Sequence, residues 1–343
     1  MAKLKGTIGA DILNGSTLQD TILGDAGDDI VAAGDGNDTV RAGAGNDKVN
    51  GGNGDDFIYG NDGVDKLYAD AGNDVVRGGT GNDLIVGDAG NDQLFGDNGN
   101  DGIFGGGNDD KVYGGNGDDT LYGDGGNDFL SGGKNNDKLY GGAGNDRVNG
   151  DSGNDTIFGD AGDDILAGGS GFDTLDYSSA GVAINVDLSK GTVTGFGNDV
   201  VSGFEKVIGS SLGDIFKGSK SAEAIFSGGG NDQIRSMEGA DTLTGGPGND
   251  TFTYFKKDVV AADGSSNGVD HITDFGTGDV LDVHDFLKSW TWGSIEEVVR
   301  VTDATAGTTV SVKTTAGFVD VVVLDGVHGV DANSMLASGM LLT

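Results

Sequence analysis

Apolar and polar positions recur along this chain with a period of nine. From Gly6 the sequence divides into nineteen nine-residue units that run through Asp176 without an insertion or deletion. The eighth place of every unit is Leu, Ile or Val, from Leu13 to Leu175, and the sixth place is always Asp, from Asp11 to Asp173. Gly fills the first place in sixteen units, with Ala33, Ala42 and Ala69 as the others, and the fourth place in sixteen, with Leu18, Asn108 and Asn135 as the others. The fifth place is mostly Asn or Asp. Gly at the first and fourth places permits positive φ and close backbone approach, so the first six residues read as a turn. The last three read as a very short strand, with the eighth residue inward and the seventh and ninth outward. One apolar side chain per nine residues buries no core alone. Two units per coil, stacked coil on coil, bury a continuous column. The pattern therefore predicts an all-β parallel β-roll with an eighteen-residue coil, about nine coils and roughly 45 Å long at ordinary strand spacing.

Composition sharpens this picture. The chain has 343 residues, of which 69 are Gly and one, Pro247, is Pro. Lys and Arg total 20 against 56 Asp and Glu, a net charge of −36. Such a charge repels nucleic acid and anionic lipid and attracts cations. Only five of the acids are Glu (Glu205, Glu223, Glu238, Glu296, Glu297). Disorder or solvation would be served equally well by Glu, whereas a tight turn that holds a carboxylate against its own backbone needs the shorter side chain. The absence of Cys excludes disulfides, thiolate metal sites and Cys nucleophiles. Met1 to Leu13 lacks the apolar core of a Sec signal peptide, and no run of about 18 apolar residues reads as a transmembrane helix.

A column of Asp about 5 Å apart is costly unless something offsets the repulsion. Carboxylates and turn carbonyls are hard oxygen donors, which select calcium over zinc or copper. Each ion is expected to bridge Asp residues one coil apart, such as Asp29 with Asp47 or Asp38 with Asp56. About seventeen such pairs would bring about +34 of charge, close to cancelling the net charge. The expected ligands are Asp29, Asp38, Asp47, Asp56, Asp65, Asp74, Asp83, Asp92, Asp101, Asp110, Asp119, Asp128, Asp137, Asp146, Asp155, Asp164 and Asp173, joined by Asp232, Asp241 and Asp250 further on. The expected cofactor is Ca2+, about 15–20 ions per chain. Asp11 and Asp20 are left out, because their units depart most from the pattern, with Leu18 and Gln19 in place of Gly and Asn.

Units such as GGTGNDLIV (Gly78–Val86) and GGAGNDRVN (Gly141–Asn149) resemble the RTX (repeats-in-toxin) nonapeptide GGxGxDxUx. The resemblance implies a right-handed calcium-binding β-roll that folds on calcium, and export by a type I secretion system of a Gram-negative bacterium. Four segments are expected: a main roll over 1–176, an irregular excursion or longer coil over 177–208, a second short roll over 209–253, and a β-rich cap with secretion signal over 254–343. The run Val182–Leu188 reads as a strand in the excursion. The second roll's sixth places are Asp214, Glu223, Asp232, Asp241 and Asp250. Glu223, in a unit with Ser221 at the fourth place, is not expected to bind calcium. Asp270 to Asp282 resembles the cap of RTX proteases, and the tail to Leu341–Leu342–Thr343 resembles the family's uncleaved secretion signal.

Catalytic signals are weak. Gly209–Gly213 fits GxSxG, which chance supplies in so Gly-rich a chain, and it lies in a repeat turn. His271, His284 and His328 are the only His. A His271/His284/Asp282 metal site is conceivable, but surface or cap His is the simpler reading, and no HExxH occurs. The chain therefore reads as a non-enzymatic structural or interaction protein, secreted or surface-associated, in an adhesive matrix, surface layer or envelope contact. The competing readings are the calcium-binding export module of a secreted lipase, protease or polysaccharide epimerase, and a host-interacting secreted protein. Two surface features bear on partners. Ninth places of alternate units read Tyr68, Val86, Phe104, Tyr122, Tyr140 and Phe158, either a cross-coil stack that stabilises the sheet or a stripe for glycan or protein. Only Met1 to Lys5 precede the first unit, so an uncapped first coil is expected to offer strand edges for self-association.

Overall fold

The computed structural model describes residues 3–288, 294–314 and 317–342. Met1 of the N-terminal segment and Thr343 of the tail lie outside the described residues. The chain divides into two compact units, Met1–Leu175 and Asp176–Thr343.

The first unit is a parallel β-solenoid, as the period requires. Strands alternate between two stacks, and each pairs in parallel with the strand eighteen residues on: Ile22 faces Val40, Val40 faces Ile58, Val31 faces Val49 and Ile85 faces Ile103. The eighth-place residues from Ile22 to Leu175 are buried and form the core column. The strands are longer than the three residues expected. From Thr21–Ala26 to Arg147–Ser152 each has six, running from the seventh place through the third place of the next unit. The reason lies at the first place. It is extended, not left-handed, and it points inward beside the eighth. A Cβ on Gly78 would stand 2.3 Å from Oδ2 of Asp83 and 2.9 Å from the Gly96 carbonyl oxygen. Gly or Ala is needed there for space, not for φ.

Positive φ falls instead at the second and fourth places. Second places from Asp25 to Asp151 and fourth places from Gly27 to Gly171 are all left-handed. Second places that are not Gly are Asp or Asn, and the non-Gly fourth places in this run are Asn108 and Asn135, residue types that tolerate this region. The fifth place is a ladder of its own: Asn46 N–H donates to Asp28 Oδ1 at 2.8 Å, and Val64 N–H to Asn46 Oδ1 at 2.8 Å. Outside, Phe104, Tyr122, Tyr140 and Phe158 stack with centroids 4.7, 4.6 and 4.0 Å apart and planes within 9°. Such stacking contributes to sheet stability through ring faces already in mutual contact.

The second unit has a parallel β architecture of the same kind, with interruptions. Asn185–Asp187, Thr192–Thr194 and Asn198–Ser202 form an antiparallel meander, and Asn185–Asp187 also pairs in parallel with Ile215–Lys217. Two parallel ladders follow. One takes Lys206–Ile208, Ala224–Phe226, Thr242–Thr244 and Asp270–Ile272; the other takes Ile215–Lys217, Gln233–Arg235, Thr251–Thr253 and Val280–Asp282. The ladders thus extend past Thr253, because the segment 254–267 loops out and returns the chain in register. The C-terminal region is β-rich. Val299–Ala304, Gly307–Thr314 and Gly317–Asp325 form an antiparallel sheet, whose last strand pairs with Asp270–Ile272, while Leu341–Leu342 pairs with Leu281–Asp282. Helix Ala332–Ser338 is closed at its start by Asp331, which accepts from Ser334 N–H, and ended by Gly339 at φ 79°. No described helix is long and apolar enough to cross a membrane.

Candidate metal centre

The sixth-place Asp residues are the most unusual feature of the structure. From Asp20 onward they are buried, from 0% exposed at Asp38 to 3% at Asp83. From Asp29 to Asp173 each Oδ1 has a defined role: it accepts the backbone N–H of the sixth-place residue one coil earlier. Asp29 N–H donates to Asp47 at 2.8 Å, Asp101 N–H to Asp119 at 2.8 Å and Asp137 N–H to Asp155 at 2.8 Å. The other oxygen is left over. Oδ2 is buried without a hydrogen-bond partner in each successive sixth-place Asp from Asp29 to Asp155, and again in Asp232, Asp241 and Asp250. A single unpartnered carboxylate oxygen is expensive to bury. A column of them beside glycine carbonyl oxygens, as Asp83 Oδ2 and the Gly96 carbonyl oxygen both flank Gly78, calls for a cation.

Calcium fits this donor set. The donors are carboxylate and backbone oxygen only. No three His, Cys, Asp or Glu converge among the described residues, so an ion here would draw on Asp residues of successive coils together with the glycine carbonyls of the same turns. The histidines lie apart and each has its own carboxylate: His284 with Asp282 at 2.6 Å, His328 with Asp303 at 2.7 Å and His271 with Asp325 at 3.0 Å. The conceivable His271/His284/Asp282 site is therefore not assembled, since His271 turns to Asp325. A shallow hollow of about 510 Å³ on the first unit is lined by Phe95, Tyr113, Asp97 and Asp151 among others, with no histidine in it.

Two turn classes share the fold. In four units the second place is Ser or Thr, and there the carboxylate is satisfied. Thr7 donates to Asp11 Oδ2 from N–H at 2.6 Å and Oγ1 at 3.0 Å; Ser16 donates to Asp20 Oδ2 from both groups at 2.7 Å. Ser210 donates to Asp214 from N–H to Oδ2 at 2.7 Å and from Oγ to Oδ1 at 2.9 Å, and Ser219 holds the two oxygens of Glu223 with the same two groups. The hydroxyl also accepts the fourth-place N–H, as from Leu18 to Ser16 at 3.3 Å and from Leu212 to Ser210 at 3.1 Å. Neither the second nor the fourth place is then left-handed, which is why Leu18, Leu212 and Ser221 can replace Gly.

Sequence periodicity missed two members of the columns. Asp241 N–H donates to Asp270 Oδ1 and Asp250 N–H to Asp279 Oδ1, both at 2.9 Å, across 29 residues instead of eighteen. Their Oδ2 atoms are closed by Ser236 Oγ at 2.6 Å and Gly276 N–H at 2.8 Å. The signal was present in Gly268-Val-Asp270-His-Ile272, which repeats the fourth, sixth and eighth places, but the loop at 254–267 displaces it.

Burial pushes the column carboxyls from Asp38 to Asp155 up, and neighbouring carboxylates add to this against the lowering backbone hydrogen bond. Asp65, Asp74 and Asp101 rise to about 7 and Asp137 to about 8, from 3.8. Without calcium, the folded roll thus binds protons that the unfolded chain has released. That stabilisation is complete below the unfolded value and is lost as pH rises through about 6 to 8. In chelator, the chain is expected to hold more β-structure by circular dichroism at pH 5 than at pH 8. Equal spectra at the two pH values would contradict buried, unpartnered carboxyls.

A family model for the RTX calcium-binding nonapeptide repeat matches residues 5–40, 33–67, 41–76, 68–103, 104–139, 140–175 and 214–253. Comparison with curated proteins gives no match. Among solved structures, the extracellular lipase LipA from Serratia marcescens is 16% identical over 63% of this chain, with a TM-score of 0.22, and the match spans 40% of that lipase. A hyperactive, Ca2+-dependent, beta-helical antifreeze protein from an Antarctic bacterium is 21% identical, over 75% of this chain and 86% of its own, with a TM-score of 0.26. With more than half of its residues matched by the repeat model and the repeats folded as a parallel β-solenoid, the chain belongs to the RTX calcium-binding nonapeptide repeat family.

Proposed function

We propose that this chain is a secreted structural or interaction protein that folds on extracellular calcium into a stiff β-roll and acts in an adhesive matrix, surface layer or envelope contact. The observation that carries the reading is the column of buried Oδ2 atoms without partners. The sixth-place Asp residues from Asp29 to Asp173, with Asp232, Asp241 and Asp250, are the proposed ligands. Inside a cell, scarce calcium and a charge of −36 keep the chain extended and exportable. Outside, calcium near about 10⁻⁴ to 10⁻³ M, the range of extracellular modules, neutralises the columns and locks the coils. Type I export from a Gram-negative cell suits a chain that must stay unfolded until it leaves.

Equilibrium dialysis of the full chain at millimolar calcium tests this reading. It should return about 15–20 bound ions per chain, with little magnesium bound under the same conditions, because magnesium demands near-octahedral geometry and gives up its water reluctantly. Two or three ions per chain, or equal magnesium binding, would remove the proposed ligand column.

A further inference from the structure

We infer that the residue at the second place decides whether a turn takes calcium: Ser or Thr there makes a turn that excludes the ion and does its work with a hydroxyl. This rests on the calcium reading above and adds the determinant of which turns are occupied. In the calcium class the second place is left-handed from Asp25 to Asp151, as at Gly115 with φ 116°, Asp160 being the exception in the first unit. Its N–H then lies away from the sixth-place carboxylate, and Asp119 Oδ2 stays unpartnered. In the hydroxyl class the second place takes an ordinary φ. Its N–H and Oγ then both point at the carboxylate, as at Ser16 with two contacts of 2.7 Å to Asp20.

The consequence follows from charge and valence. A carboxylate that already accepts two hydrogen bonds from the second-place residue, both on Oδ2 at Asp11 and Asp20 and one on each oxygen at Asp214 and Glu223, has given away lone pairs an ion would use, and the donors' positive ends stand where the ion would stand. The same switch relieves the fourth place. Its N–H finds the hydroxyl, the left-handed turn is no longer needed, and a side chain as large as Leu18 fits, 62% exposed. Thr7, Ser16, Ser210 and Ser219 therefore mark four turns that hold their shape without calcium. Two belong to the first coil of unit one, and two to the coil after the meander in unit two. Glu223 is accommodated for the same reason: its longer side chain needs to reach only a hydroxyl, not an ion shared with the next coil.

Anomalous diffraction from crystals of the full chain grown in calcium tests this directly. Calcium peaks are expected at interior turns such as that of Asp119, and none at the turns of Asp11, Asp20, Asp214 and Glu223. In T7G, which leaves Gly9 free to become left-handed, one new peak is expected at Asp11 with the rest unchanged. In G115S the peak at Asp119 should vanish. A peak at Asp11, Asp20 or Asp214 in the unaltered chain overturns the inference, as does a T7G crystal without a new peak. Peaks nowhere would overturn the calcium reading itself, an outcome distinct from a wrong choice of turns.

Discussion

Replacing Gly99 with alanine is expected to destabilise the calcium-loaded roll by about 2–4 kcal/mol, whereas the same change at Gly102, three residues on, is expected to be neutral or stabilising by about 0.5 kcal/mol. Both glycines belong to one unit and differ only in what the fold asks of them. Gly99, at the fourth place, has φ 134°, and a Cβ would stand 1.5 Å from the Gly81 carbonyl oxygen and 2.4 Å from its carbon. The obstacle is backbone, so two coils must part, and the left-handed alanine adds about 1–2 kcal/mol of its own. Gly102, at the seventh place, is extended and faces out, with Leu84 Cδ1 at 3.9 Å as its nearest neighbour. Alanine there mainly restricts the unfolded chain. Urea unfolding of both variants at fixed calcium reads the difference; equal losses would mean that the coils are not packed as described.

The second large effect changes sign with calcium. In D119N, the amide oxygen can still accept the Asp101 N–H, now 2.8 Å from Oδ1, so the ladder survives. On the proposed ligand set, what is lost is a charged ligand for ions shared with Asp101 and Asp137. Each ion present at about a hundred times its dissociation constant stabilises the folded state by about 2.7 kcal/mol. The variant should therefore lose about 3–5 kcal/mol in saturating calcium, the weakening of one to two ions. In chelator the same variant should be more stable than the parent, because a buried carboxylate without a partner has been replaced by a neutral group. Loss of stability in both conditions would show that Asp119 acts through packing alone.

Much of this was legible in the sequence. The Leu, Ile and Val of the eighth place could serve only as a core column, and a sixth place held by Asp through nineteen units could not be ordinary surface. Other features depend on three-dimensional neighbours. The strands are twice the expected length because the first-place Gly continues inward beside the eighth-place residue, and only the crowding at positions such as Gly78 shows that space, not φ, selects it. The left-handed second place was hidden by its mixed Gly, Asp and Asn usage. Asp270 and Asp279 were masked by a loop that breaks the eighteen-residue count but not the ladder. Leu18 and Ser221 marked departures without explaining them; the cause sits two residues earlier, in the hydroxyls of Ser16 and Ser219.

The most direct test of the central claim is far-UV circular dichroism of the full chain through a calcium titration from chelator, with a magnesium titration as control. At pH 8, where protons have left most of the columns, a cooperative gain of β-structure with calcium and not with magnesium is the expected result. A chain already folded in chelator at pH 8, or one indifferent to calcium there, would contradict the account.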